Sequence, residues 1–421
     1  MKVGIIGAGA AGLCAIKHAL SFDCEVIAFE QSDRIGGTWV YTDDTGSDKH
    51  GNAIHSSMYK NLRTNLPKEL MAFPDFPFPP QEKSFLPASE VNEYLNLYAD
   101  NFNLRQFVKF EHHVVRVRPT QNESKWEVIV KKLLDQKYET FIFDAMLVCN
   151  GHFTTPNIPQ FKGSKVFQGR QIHSHDYKIP DVFVHRKVLV IGAGPSGVDI
   201  SQEVAKSAER VLWSNHLKTP KEVHCNNLIQ KPDIKELTVN GAEFVDGSYE
   251  SFNDIIYCTG YKYTFPFMSV DCGLATDDNY VRPLFKHCLN INHTSMGIIG
   301  LPVYIAPFQA FDLQIRFCLT FITGRKMLPS KEEMCANTEK DMNERWSRGL
   351  PKKKAHAFGS MYQDKYFDDL ASFARITPVK PVILKIYDQN KFNQQNDLVH
   401  YRQYKYTVID DEQFEAILPR N

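Results

Sequence analysis

Gly7, Gly9 and Gly12 sit in the run Gly-Ala-Gly-Ala-Ala-Gly, directly after an apolar stretch at 3–6 and before a helix-compatible stretch at 13–20. A second apolar stretch, 25–29, ends in the acid Glu30. This pattern is suited to holding a dinucleotide. Gly7 permits the tight turn, Gly9 lets the backbone approach a pyrophosphate, and Gly12 lets helix and strand pack closely. The pyrophosphate then rests on the helix N-terminus, and Ala10 and Ala11 of the turn are expected to join the cofactor contacts. Glu30 stands where a carboxylate hydrogen-bonds the hydroxyls of an adenosine ribose.

The pattern recurs. An apolar stretch at 187–191 runs into Gly192, Gly194, Pro195, Ser196 and Gly197, followed by a helix-compatible stretch at 198–208 and a strand at 210–213. A second dinucleotide site is predicted. Its second strand ends in Ser214, Asn215 and His216, with Lys218 close by and no acid. An acid there would repel a ribose 2′-phosphate, whereas hydroxyl, amide and ammonium groups hold one. The second site is therefore expected to take NADPH in preference to NADH.

Other chemistry-bearing residues lie between and beyond these turns. Arg34, Gly36, Gly37, Thr38 and Trp39 form a glycine-rich loop with a flat aromatic face, expected to line the first cofactor. Leu62, Thr64 and Asn65 precede Leu66-Pro67 and a Phe/Pro-rich stretch at 73–80. Asn65 is a neutral donor and acceptor in apolar surroundings; as residues alone, a turn role and an active amide stay equally open. Thr259, Gly260 and Tyr261 follow a buried strand at 254–257 and suit either a cofactor approach or a domain link. His173 and His175 have strand spacing, but no carboxylate or cysteine cluster completes a ligand set. No metal is predicted.

The elements that must position these groups follow from periodicity. Residues 88–102 have helical spacing; 107–117 and 126–134 alternate as antiparallel strands around a polar turn at 121–124. Residues 145–149 read as a buried strand ending at a proline-marked boundary, Pro156 and Pro159. A strand near 297, a helix at 310–322 and charged helices at 330–348 and 360–373 follow, and after Pro381 comes a tyrosine-rich tail with no readable chemistry.

Composition narrows the function class. The 421 residues carry 49 Lys+Arg and 49 Asp+Glu. That balance gives no sign of a nucleic-acid partner or of an anionic membrane surface. No stretch is apolar enough to span a membrane, and the most apolar region is broken by Pro302 and Pro307. Nine cysteines without a tight pair read as reduced core thiols. A cytoplasmic location is expected, or a secreted one if a signal peptide was removed upstream. A homo-oligomer is compatible with the chain, which carries no signal for its order.

Two nucleotide turns, with Phe167, Gly169, His173 and Tyr177 ahead of the second, resemble the flavin-containing monooxygenase family and its motif F-x-G-x-x-x-H-x-x-x-Y/F. The Gly36–Trp39 loop, the Thr64-Asn65 pair, the Thr259–Tyr261 turn and the Leu313-Gln314 helix start are similar too. The resemblance covers residues 1–325 and is nearest to short insect members, which include N-oxygenases of pyrrolizidine alkaloids. It implies an α/β fold with two Rossmann-like domains: a large FAD domain, 1–155 and 290–421, with a smaller NADPH domain, 156–289, inserted. Gln31, Val114 and Gln314 join the implied flavin-nucleotide contacts, and Asn65 is the implied catalytic residue. The implied reaction uses NADPH and dioxygen to form a flavin C4a-hydroperoxide, which N- or S-oxygenates a tertiary amine or sulfide. His173 and Tyr177 are expected to shape the domain link, not to move protons. A Baeyer–Villiger monooxygenase acting on ketones is the alternative, although its motif tends to end in Trp where Tyr177 stands. A disulfide reductase would need a cysteine pair, and a nucleotide sensor would not turn over NADPH.

Overall fold

The computed structural model describes residues 1–216 and 225–419. Its first sheet has seven strands in the order 284–285, 289–290, 296–298, 145–148, 2–6, 25–29 and 108–109. Its second has five, in the order 228–231, 210–214, 187–191, 254–257 and 170–173. The strands bearing the two glycine turns, Lys2–Ile6 and Lys187–Ile191, are each flanked by parallel neighbours on both sides.

Such strands are apolar throughout because both faces are covered. In the first sheet Val3, Ile5 and Leu147 face one core, while Ile6, Met146 and Val148 face another. The helices α1 (Ala10–Ser21), α2 (Lys68–Met71), α3 (Ala88–Asn101), α4 (Pro195–Ala205), α5 (Pro307–Ile322), α6 (Lys331–Ser347), α7 (Ser360–Ala374) and α8 (Pro381–Asn396) complete the layers. Leu13 and Ile16 of α1 and Leu313 and Phe317 of α5 fill the first core. Each such buried side chain contributes about 1.5–3 kcal/mol. An antiparallel sheet (112–119, 126–132, 138–143) covers the opposite face through Val114, Trp126 and Val130.

The second sheet repeats this plan. Val198, Ile200 and Val204 of α4 cover one face, and a small antiparallel sheet carrying Ile234, Leu237 and Phe244 covers the other. The repetition therefore extends past the glycine turns to both covering layers.

Two strands cross between the sheets, Thr155–Pro156 and Tyr261–Lys262, and they pair antiparallel. The strand Leu284–Phe285 already belongs to the first sheet. Phe285 and Leu289 lie in the core beneath that sheet.

The predicted helices form, with Pro195 and Pro307 opening α4 and α5. A proline at a helix start loses no hydrogen bond. The largest departure is after Pro381. The tail folds into α8 and a hairpin of Lys405–Val408 with Phe414–Ile417. Among the described residues, no helix is long and apolar enough to cross a membrane.

Candidate functional site

The two glycine turns have nearly superimposable packing logic. A Cβ on Gly12 would lie 1.9 Å from the Gly7 carbonyl oxygen, and one on Gly197 would lie 2.0 Å from that of Gly192. Gly7 and Gly192 take φ of +99° and +117° against the carbonyls of Cys149 and Cys258, which end equivalent strands. α1 and α4 each begin at a glycine with no side-chain cap and no acid in the first turn. Their leading amides are therefore free to bond an anion along the helix axis.

Glu30 is braced before it can bind anything. Its Oε2 accepts from the Ala8 amide at 2.9 Å, and Oε1 accepts from the Ser32 amide and hydroxyl, each at 2.9 Å. About one of a carboxylate's four acceptor positions is left for a ribose hydroxyl.

The loop at 36–39 closes over the first turn. The Gly36 amide donates to the Ala8 carbonyl at 3.1 Å, and a Cβ on Gly9 would lie 3.4 Å from the Gly37 Cα. Thr38 offers its carbonyl to the Ser56 hydroxyl at 2.8 Å. Beside this loop, Arg34, Trp39, Tyr59, Lys60, Ser89 and Asn92 line a cleft of about 300 Å³. Among the described residues, none bonds the buried Asn92 Oδ1, which fits a site that takes a donor. Arg34 grips Asp33 through one guanidinium edge, with Nε to Oδ1 at 2.6 Å and Nη2 to Oδ2 at 3.0 Å. Sequence reasoning missed Ser32, Ser89 and Asn92; on a helix, nothing local distinguishes Asn92 from an ordinary surface amide. Gln31 Oε1 lies 3.1 Å from His113 Nδ1.

Thr64 is buried, and its amide and hydroxyl pair with the Leu86 carbonyl and amide at 2.8 and 3.0 Å. The Leu62 carbonyl accepts from the Ala88 amide, and its side chain packs on the second fold's core. The next residue, Asn65, is half-buried. Its carbonyl accepts from Gln394 Nε2 at 2.6 Å and Asn390 Nδ2 at 3.3 Å. Its side-chain amide bonds to no described residue. The backbone is held and the amide is uncommitted.

Several residues expected at the cofactors bond to the protein itself. Gln314 is 0% exposed. Its Oε1 accepts from the Gly300 amide at 2.9 Å, and its Nε2 donates to Tyr366 at 2.7 Å. It braces the turn at Gly300 and presents no side-chain surface to a cofactor. Val114 is likewise enclosed in the apolar core with Phe29 and Val130, leaving only its backbone to offer. Ser214 is 1% exposed and gives its hydroxyl to the Pro232 carbonyl at 2.8 Å, so that hydroxyl does not face a 2′-phosphate. Asn215 is also buried, donating to the Trp213 carbonyl. His216 has a 91% exposed side chain, with Nδ1 2.7 Å from Asp233 Oδ2. Lys218 lies outside the described residues.

Thr259, Gly260 and Tyr261 sit at the crossing between sheets. Thr259 donates its hydroxyl to the Asn157 carbonyl at 2.6 Å, and Tyr261 pairs with Pro156. Burial holds His173 neutral by pushing its pKa down to about 4, and its ring meets Tyr261 edge-on at 5.0 Å. Tyr177 meets Tyr59 of the first fold at 5.5 Å. Elsewhere, Cys14, His18 and Asp312 bring three ligand-type atoms within 4.8 Å of one another. His18 Nε2 is already paired with Asp312 at 2.6 Å, and Arg316 takes the other carboxylate oxygen.

Two glycine turns, each on its own parallel sheet and opening an uncapped helix, define a protein with two Rossmann-type folds. Residues 1–220 and 216–394 match the model of the family described as FMO-like, flavin-binding monooxygenase-like. Senecionine N-oxygenase of Tyria jacobaeae is 33% identical over 98% of this chain and 91% of its own length. The flavin-containing monooxygenase FMO GS-OX4 of Arabidopsis thaliana is 36% identical over 89% of this chain and 85% of its own. Among solved structures, S-allyl-L-cysteine S-oxygenase from Allium sativum has a TM-score of 0.90 at 34% identity, covering 95% of this chain and 94% of that one.

The chain belongs to the flavin-binding monooxygenase family. It is an NADPH-dependent flavin-containing monooxygenase, with FAD and NADPH as its cofactors.

Proposed function

We propose that this enzyme transfers one oxygen atom from dioxygen to a nucleophilic nitrogen or sulfur, with tertiary amines, pyrrolizidine alkaloids among them, as the leading substrate class. The printed activities of its relatives, one an N-oxygenase and one an S-oxygenase, support that range. FAD, reduced by NADPH, supplies the activation of dioxygen. The turn at Gly7–Gly12 with Glu30 would hold FAD, and the turn at Gly192–Gly197 would hold NADPH. The single observation that carries the reading is Asn65, whose carbonyl is fixed by two amides while its side chain bonds to no described residue. A neutral amide donates and accepts hydrogen bonds without releasing a proton. It orients the reacting groups and offers no acid that would discharge activated oxygen as peroxide.

The domain plan is part of the proposal. An NADPH domain inserted into the FAD domain leaves it at Thr155–Pro156 and returns at Tyr261–Lys262, supported by the pairing of those two strands. A cytosolic location is supported by nine free cysteines, which suit a reducing compartment.

The test is stopped-flow absorbance. The holoenzyme is reduced by NADPH without air, and oxygen is then admitted. The expected result is a long-lived absorbing transient that decays faster when a tertiary amine is added, with N-oxide as product. Immediate return to oxidised flavin with peroxide release would overturn the reading, and a lactone from a cyclic ketone would favour Baeyer–Villiger chemistry.

A further inference from the structure

The tail, silent as sequence, reaches both folds at once. Arg402 Nε donates to the Thr64 carbonyl at 3.0 Å, and its Nη2 donates to Asp199 Oδ2 at 2.7 Å. Asp199 lies on α4, two residues beyond the Gly197 of the second nucleotide turn. The same carboxylate oxygen accepts from the Tyr59 hydroxyl at 3.0 Å. Burial, then the Asp199 charge, push the Tyr59 hydroxyl well up, so it keeps its proton and acts as donor. Gln394 on α8 holds the Asn65 carbonyl itself at 2.6 Å. Leu398, between Gln394 and Arg402, packs against the cores of both folds. The hairpin anchors this strap, because the Tyr406 amide donates to Ser84 Oγ at 2.9 Å, beside the Leu86 that pairs with Thr64.

We propose that residues 390–402 form a positioning strap, in which Gln394 and Arg402 set the Asn65 backbone in register with α4 and hence with the nucleotide that α4 would hold. The proposal rests on the reading of Asn65 as the active amide. Arg402 is the fitting residue for this task. Its planar fork reaches a carbonyl and a carboxylate in fixed directions, which a lysine ammonium cannot do. The ion pair is partly screened from solvent, with side-chain exposures of 22% and 15%, so it acts as a geometric tie that bulk salt only weakly loosens. A small displacement of an orienting group costs far more in chemistry than in folding. The strap therefore governs how much of the NADPH consumed ends as oxygenated product.

The experiment uses the holoenzyme with three variants: Arg402→Met, which keeps the stem and removes the fork; Arg402→Lys, which keeps the charge; and Gln394→Leu. Each is read for FAD content, for the rate of flavin reduction by NADPH, for product formed per NADPH, and for hydrogen exchange in residues 59–66. In Arg402→Met, FAD content and reduction rate are expected to stay at wild-type level. Exchange in 59–66 rises about tenfold as the tie is lost. Product per NADPH falls about threefold or more, each missing product being matched by one hydrogen peroxide. Arg402→Lys recovers little of the yield, which a general charge effect would not predict.

Wild-type yield and wild-type exchange in Arg402→Met would overturn the strap. So would a loss of FAD and of reduction rate in proportion to the yield, which marks a purely structural clamp. If Arg402→Met fails to fold, Gln394→Leu decides by the same readouts. Asn65→Ser keeps the two readings apart. Impaired yield there with an unaffected Arg402→Met refutes the strap alone, whereas wild-type yield in Asn65→Ser refutes the Asn65 reading and the strap with it.

Discussion

Glu30 takes the Ala8 amide at 2.9 Å, so the carboxylate expected to meet a ribose first braces the turn that would hold the pyrophosphate. Glu30→Ala leaves that amide and Ser32 without their acceptor, at a cost of about 1–3 kcal/mol for a buried donor. Bound flavin is expected to fall together with the unfolding temperature. Absorbance of the purified protein and a thermal melt check this, and a variant with full flavin and wild-type stability would contradict it.

Two glycines separate folding from binding. Gly12→Ala forces a Cβ to 1.9 Å from backbone, and it should cost about 3 kcal/mol and release FAD. Gly194→Ala meets no atom of the described residues within 4 Å. It should fold with wild-type stability yet raise the KM for NADPH, because only a bound pyrophosphate needs the space. Equal stability losses in the two would show that Gly194 has a packing role instead.

Asn65→Ser should keep FAD and NADPH binding while oxygenation falls about 10²-fold, the scale on which a preorganised hydrogen-bonding group acts. Product formation at saturating NADPH measures it. Oxygenation at the wild-type rate would remove Asn65 from the chemistry.

Stability should depend on pH through buried histidines. Burial pushes His152 and His173 down from 6.5 to about 4. Below 6.5 the unfolded chain binds protons that the folded chain refuses until about 4, so stability is greatest above 6.5 and falls as pH drops through that window. Urea unfolding at several pH values tests this. His173→Gln should flatten the slope, and an unchanged slope would exclude that residue.

Nucleotide preference offers a test of the second turn. His216 is the exposed group at the end of its second strand. If its ring meets the 2′-phosphate, His216→Ala lowers the NADPH-to-NADH preference about tenfold, the equivalent of one charge-assisted hydrogen bond. Comparison of kcat/KM for the two nucleotides decides it, and an unaltered ratio assigns the phosphate to another residue.

What the sequence alone determined is what the backbone needs locally. A positive φ at Gly7, a Cβ-free approach at Gly12, an apolar strand covered on both faces and the apolar period of a helix are each written within a few adjacent residues. That is why both nucleotide turns, their sheets and most helices were legible, and why the repeat showed. Tertiary structure alone decided which polar groups stay free. Gln314 and Ser214 have the right chemistry for a cofactor, but their positions enclose them against Tyr366 and Pro232. Asn65 could not be told from a turn residue, because the group that holds its carbonyl, Gln394, lies 329 positions away. The polar tail looked inert for the same reason: a hydrogen bond's partner is set by proximity in space, and period and composition carry no record of it.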